Sequence, residues 1–295
     1  MGADLFERRP DLLGADANEA VGFDLRALCL EGPEEELTRT EHAQPAIFAV
    51  SYALYDELRA SAGPDPMAMA GHSLGEYTAL AAAGAMSYAE GLRLVAKRGR
   101  AMAAAATLEP SGMAALIGAD VELARSICER RTAEGGRLEV ANVNAPGQVV
   151  LAGGAEDIDW LVANISELGA RRAIPLKVAG AFHSSFMTPA RDELARSLGE
   201  VDFGSPTPEV WANTTAAPHS KDDIAATLER QVVEPVLFAD SLEAMSEAGV
   251  DTFLHCGPGD VTAGLARKSV PGVTAFVVSD LEDVPAALDA LGTMD

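Results

Sequence analysis

The stretch Gly71-His72-Ser73-Leu74-Gly75-Glu76-Tyr77 decides how the rest of the chain is read. It holds the pattern G-x-S-x-G, preceded by the compact apolar run Met67-Ala68-Met69-Ala70. An Ala-rich segment follows, Thr78 to Ala83, that reads as a helix. Strand, tight turn and helix in that order make the pattern a nucleophile elbow. A serine held in the strained conformation of a sharp turn needs neighbours without a Cβ, hence a glycine two residues to either side. Its hydroxyl then projects above the C-terminal edge of a sheet, over a helix N-terminus that favours negative charge. Ser73 is therefore the candidate nucleophile. The competing reading is a structural turn whose serine merely caps the helix.

Composition narrows the classes of function. The 295 residues suffice for one large domain or for a domain with an inserted subdomain. At 48% hydrophobic and 23% charged, the chain has the make-up of a folded globular protein. No apolar run approaches the ~20 residues that span a bilayer, and the first residues carry no signal-peptide pattern. The expectation is a cytoplasmic protein without a membrane partner. Cys29, Cys128 and Cys256 are dispersed without C-x-x-C spacing, which fits reduced thiols and disfavours a disulfide framework or a zinc site. A net charge of -23 argues against a nucleic-acid surface, which requires clustered Lys and Arg.

Outward from the elbow, residues 1–45 read as helical and acidic, with no clear strand before them. A helix is expected from Gln44-Pro45 to about Arg59, with Ile47, Val50, Leu54 and Leu58 at helical spacing. Gly91 to Arg100 reads as another helix, rich in base. From 113 to 178 the rhythm changes to strand, helix, strand, Pro146-Gly147 turn, strand, helix, strand. That βαββαβ order is the ferredoxin-like split unit, taken as an insertion at 107–178. Residues 1–106 and 179–295 then form an α/β unit with a parallel sheet, its later strands at Glu209 to Asn213, Thr252 to Cys256 and Ala275 to Val278.

A nucleophilic serine needs a base within reach, and the base needs an orienting partner. Five histidines are available. His72 adjoins the serine and points to the opposite face of an extended strand, so it reads as structural. His42 and His219 lie in polar stretches and read as surface residues. His183, in a loop between subdomains, and His255, at a strand end before Gly257-Pro258-Gly259, both remain open as the base, with His183 preferred by its position.

Several segments occur together in one family: Gly71 to Tyr77, Arg98, Asn142-Val143-Asn144-Ala145-Pro146-Gly147-Gln148, Gly180-Ala181-Phe182-His183-Ser184, Arg230-Gln231-Val232-Val233-Glu234-Pro235-Val236 and Gly257-Pro258-Gly259. Through them the chain resembles, over essentially its full length, the malonyl-CoA:acyl-carrier-protein transacylases of fatty-acid and polyketide synthesis. The resemblance implies an α/β-hydrolase-like large subdomain with a ferredoxin-like small one. It implies Ser73 as nucleophile, His183 as base oriented by the Gln231 backbone carbonyl, Leu74 N–H in the oxyanion hole, and Arg98 on the free malonyl carboxylate. The planar fork of an arginine binds a carboxylate bidentately, and that carboxylate is what separates malonyl from acetyl. Phe182 matches a bulky residue that accompanies malonyl preference, and Asn142, Asn144 and Gln148 are candidate cleft residues. Without the resemblance, Arg98 would read as a solvated helix charge, Phe182 as a core aromatic, and the three amides as turn chemistry.

The implied reaction passes a malonyl group from malonyl-CoA to the phosphopantetheine thiol of an acyl carrier protein through a malonyl-serine ester. It needs no metal or redox cofactor, and a monomer is expected. An acidic carrier makes Arg171, Arg172, Lys177, Arg267 and Lys268 docking candidates. The chain departs from the family in lacking an opening strand and a Phe-Pro-Gly-Gln-Gly-Ser-Gln loop, whose glutamine gives a second oxyanion N–H. Losing one such donor costs ~10²–10³ in rate. His255-Cys256 and Asp260 also differ from the usual residues there. The rival readings are a polyketide-synthase acyltransferase, a serine esterase, and a catalytically impaired carrier-binding form.

Overall fold

The computed structural model describes residues 1–61 and 63–292. Its strands in chain order are β1 (Ala68–Ala70), β2 (Ser111–Ile117), β3 (Leu138–Ala145), β4 (Gln148–Gly154), β5 (Arg172–Pro175), β6 (Glu209–Trp211), β7 (Val236–Leu237), β8 (Thr252–Cys256) and β9 (Thr274–Val278).

The small unit folds as its pattern requires. β2 runs antiparallel to β4 and β5, and β3 antiparallel to β4, so the order is β5-β2-β4-β3. Helices Val121–Ala133 and Ala155–Asn164 supply the two crossovers. Alternation of side chains along a strand explains why β2 and β4 are apolar almost throughout. Ala114, Leu116, Val149 and Leu151 face Ile127 and Leu161 in the small core. Met113, Ala115, Val150 and Ala152 belong to the large core on the other side. A sheet buried on both faces leaves no polar stripe.

One strand of this sheet comes from elsewhere. β7 adds in parallel to β3, with Asn142 opposite Val236 and Val143 opposite Leu237. Two residues that lead straight into helix Phe238–Glu247 carry too short a pattern to read as a strand.

In the large unit β1 pairs with β6 and β8 with β9, both in parallel. The expected parallel sheet is thus divided into two pairs. A cavity of about 580 Å³, lined by residues of β1 and β8 and by Leu242, Met245 and Ala266, lies between them. Among the described residues the first strand is β1, and five short helices precede the long one. Leu5, Phe6, Leu13, Val21 and Leu25 from those short helices join the large core. The long helix runs Thr40–Ala60, four residues earlier than the sequence suggests, with Pro45 inside it. Near a helix start the missing N–H removes a single bond, so the helix continues.

At the elbow, Ser73 has φ 52° and ψ -105° and caps helix Leu74–Ala82. The two flanking glycines are not equivalent. A Cβ on Gly71 would lie 1.9 Å from the Gly75 carbonyl carbon, whereas one on Gly75 would meet nothing within 4 Å. The close backbone approach therefore fixes Gly71 alone, which corrects the symmetric argument from sequence. Gly71→Ala is expected to abolish labelling of Ser73 by a fluorophosphonate probe. Gly75→Ala, inside a helix, is expected to fold with a thermal midpoint equal to or above that of the parent, a gain of up to about 1 kcal/mol. Equal loss of folding in both would contradict this assignment.

Candidate active site

Ser73, just beyond β1, meets His183 in the turn after β5. Ser73 Oγ is 2.7 Å from His183 Nε2, and His183 Nδ1 is 2.7 Å from the carbonyl oxygen of Gln231. A carbonyl only accepts, so Nδ1 carries the proton and Nε2 is left to accept from the Ser73 hydroxyl. A main-chain oxygen thus orients the imidazole. The turn places His183 at φ 57°, and the Ser184 hydroxyl braces it by donating to the Ala181 carbonyl. Burial first, and the Arg98 charge second, push the His183 imidazole down from 6.5 to about 3.

Arg98 lies on helix Tyr88–Ala106, whose start is set by a Ser87–Glu90 capping box. It sits on the same buried stripe as Leu94, Val95 and Met102 and is only 1% exposed. Its Nη2 donates to Ser73 Oγ at 3.0 Å and to Gln231 Oε1 at 3.0 Å, and its Nη1 to Gln44 Oε1 at 2.6 Å. The Tyr77 ring lies 5.4 Å away, and among the described residues Nε has no hydrogen-bond partner. Among the described residues no carboxylate forms an ion pair with this guanidinium. The guanidinium is thus buried among neutral hydrogen-bond partners beside the Ser73 hydroxyl, an arrangement chemically suited to pairing with an anion.

Leu74 is the first residue of the elbow helix, where N–H groups have no intrahelical acceptor, and its own N–H makes no hydrogen bond among the described residues. Phe182 is half-buried next to His183 and packs on the large core. Asn142 is buried in β3, and no hydrogen bond joins its side chain to Ser73, His183 or Arg98. Asn144 is the amide that bonds His72, with Oδ1 at 2.7 Å from Nε2, while the His72 ring stands edge-on to Phe238. Gln148 accepts from Lys268 Nζ at 3.3 Å. His255 bonds Thr262 and the Gly257 carbonyl, away from Ser73. His42 bonds the Glu36 carbonyl. Among the described residues no cluster of His, Cys, Asp or Glu side chains is arranged to hold a metal ion.

His219 is where the surface reading fails. Its side chain is 0% exposed, and Nε2 lies 2.6 Å from Glu76 Oε1. The chain turns back after β6, Ala212 N–H bonding Ala217 O and His219 N–H bonding Val210 O, which carries the ring beneath the elbow. Sequence reasoning also passed over Gln44, Glu76 and Asn213. Asn213 had a signal: it follows the C-terminal end of a parallel strand, where sites in α/β folds gather. Glu76 had a misleading one, since an acid in the first turn of a helix reads as a surface charge on the dipole.

With this geometry in hand, comparison with known proteins is decisive. Residues 3–270 match the acyl transferase domain family. The malonyl CoA-acyl carrier protein transacylase of Bacillus subtilis is 38% identical over 294 residues, covering 99% of this chain and 92% of that protein. The chain belongs to this acyltransferase family. Among solved members, the Streptococcus pneumoniae enzyme superposes with a TM-score of 0.91 at 39% identity, over 98% of this chain and 95% of that one. A malonyl-transacylase solved with a type II PKS acyl-carrier protein gives 0.92 at 37% identity, over 98% and 93%. The family's α/β fold is the one described above.

The depressed imidazole has a consequence for pH. Between pH 6.5 and about 3 the unfolded chain binds a proton on His183 that the folded chain does not, so stability is lost as pH falls through that window. Per folded molecule, the base stays neutral. The second-order rate of Ser73 acylation, which reports the free enzyme, is expected to hold level from pH 7.5 to 5.5. A fall centred near 6.5 would contradict the buried, neutral imidazole.

Proposed function

We propose that this protein transfers the malonyl group of malonyl-CoA to the phosphopantetheine thiol of an acyl carrier protein, acting in the cytoplasm as a monomeric acyl-carrier-protein S-malonyltransferase. The observation that carries the reading is Arg98, a buried guanidinium without a carboxylate partner, 3.0 Å from a Ser73 hydroxyl that is itself 2.7 Å from a neutral imidazole. Residues 107–178 form the inserted small subdomain in this reading, and the rest the large one.

His183 Nε2 takes the proton of Ser73 as Oγ attacks the thioester carbonyl, and the developing oxyanion is met by the Leu74 N–H at the helix start. The C–S bond breaks, and the coenzyme A thiolate leaves with the proton from His183. In the second half the carrier thiol gives its proton to His183, attacks the malonyl-serine ester, and Ser73 leaves as a hydroxyl. Throughout, the free carboxylate of the malonyl group pairs with Arg98, supplying the charge that Gln44, Gln231 and Ser73 do not. Phe182 narrows the pocket beside the base. Arg171, Arg172 and Lys177 are exposed on and beside the edge strand β5, the cationic surface offered to an acidic carrier.

A second reading differs only in the carrier. The relative solved with a type II PKS carrier protein favours a polyketide synthase as the recipient.

Intact-mass spectrometry after brief exposure to malonyl-CoA tests the proposal. A gain of one malonyl group is expected on the parent, none on Ser73→Ala, with discharge on adding holo carrier; fatty-acid and polyketide carriers offered separately decide the recipient. Arg98→Ala is expected to lower the malonyl-over-acetyl preference by about 10²-fold, the scale of a lost charge-assisted pair. A folded parent that binds carrier but takes no malonyl group would support the carrier-binding form instead.

A further inference from the structure

Beneath the elbow lies a buried carboxylate that touches none of the reacting atoms. Glu76 is fully buried, and its two oxygens accept three hydrogen bonds. Oε1 accepts from His219 Nε2 at 2.6 Å, and Oε2 from Gln231 Nε2 at 2.7 Å and from the Asn213 N–H at 3.1 Å. Two of these donors come from residues that hold Ser73 itself. Asn213 Oδ1 accepts the Ser73 N–H at 2.7 Å while its Nδ2 donates to the Gly71 carbonyl at 2.8 Å. Gln231 Nε2 also donates to the Ser73 carbonyl at 2.9 Å. The serine peptide, left-handed and unfavourable, is therefore gripped at both its N–H and its C=O.

The chemistry of the carboxylate adds direction to the grip. A carboxylate only accepts, so the Gln231 amide must present its NH₂ to Glu76, and the shorter of its two strong bonds, 2.7 Å against 2.9 Å to the Ser73 carbonyl, is the one to this charged acceptor. The amide oxygen is then forced to the other side, where it receives Arg98 Nη2 at 3.0 Å. Were the amide reversed, an NH₂ would face the guanidinium and push it away. We propose that Glu76, held in place by His219, is a positioning residue that sets the orientation of the Gln231 amide and through it the position of Arg98. Selectivity for an acyl group bearing a carboxylate thus depends on a second carboxylate on the far side of Gln231.

This inference rests on the transferase reading above, in which Arg98 binds the malonyl carboxylate. Glu76→Gln tests it, because a glutamine there can turn an NH₂ of its own toward Gln231 and so oppose the orientation that the Ser73 carbonyl favours. Rapid-quench acylation of Ser73 by malonyl-CoA and by acetyl-CoA, read by intact mass on the full chain, is compared with the parent. Malonyl acylation is expected to fall about 10²-fold, the scale of a misplaced binding group, and acetyl acylation far less, so the preference drops about tenfold or more. A merely structural role would lower both rates with the folded fraction and leave the ratio unchanged, which would overturn the proposal. Should Glu76→Gln not fold, His219→Leu comes close to the histidine in volume and removes the Nε2 donor together with Nδ1, which has no hydrogen-bond partner among the described residues. It is expected to lower the ratio about fivefold, the worth of one hydrogen bond, and an unchanged ratio would again overturn the proposal. A parent labelled at Ser73 by a fluorophosphonate but not by malonyl-CoA would overturn the transferase reading and this one with it. A malonylated parent with unmoved ratios overturns this one alone.

Discussion

The left-handed backbone at Ser73 is the constraint around which the site is assembled. A non-glycine residue at φ 52° is disfavoured by the clash of its own Cβ, and the conformation persists only where the surroundings hold it. Here the hold is made of backbone and amide groups. Gly71 lets the strand pass against Gly75, Asn213 takes the Ser73 N–H, and Gln231 takes its carbonyl. The result is a hydroxyl raised above the helix N-terminus, with the adjoining Leu74 N–H left without an acceptor.

The second organising feature is the pairing of burial with incomplete charge compensation. Arg98 is buried as deeply as the leucines around it, yet its hydrogen-bond partners are two amide oxygens and a hydroxyl. Removing a guanidinium from water costs several kcal/mol unless its donors are satisfied. Among the described residues Nε has no hydrogen-bond partner and no carboxylate forms an ion pair with the group, so part of that cost is left standing. In the proposed reading, a carboxylate arriving beside Ser73 relieves it. The nearby positive charge also helps keep His183 neutral and ready to accept a proton.

Both halves of the chain are needed to bring these groups together. Ser73 follows β1, Arg98 comes from a helix in the large core, and His183 lies just past the small unit's last strand. The small sheet is locked to the large unit on its apolar reverse face and through the β3–β7 pairing. The turn carrying His183 is thereby fixed relative to the helix that ends in Gln231, whose carbonyl orients the imidazole.

Much of this was legible in local sequence because the signals were local. The elbow pattern, the short continuous apolar runs of β2 and β4, the Pro146-Gly147 turn and the motif around His183 each state their structure within a few residues. The resemblance grouped Ser73, His183 and Arg98 as a set, and in the structure Ser73 Oγ lies within hydrogen-bond reach of both others. Some signals were present but easily misread: Arg98 lies on the apolar stripe Leu94, Val95, Met102, which marks an arginine facing inward. Others had no local form. His219 sits in a polar stretch and is buried only because the chain reverses after β6, and Glu76 looks like any acid in a first helical turn. Gln44 and Asn213 become partners of Arg98 and Ser73 only across separations of 54 and 140 residues. The fold class, the strained turn and the chemical types available can be read from the chain alone, since these follow from steric and patterning rules over short windows. Which polar groups are shut away from water together is settled by the three-dimensional packing. There each donor must find its acceptor, and that requirement couples a buried glutamate to the arginine beside the nucleophile.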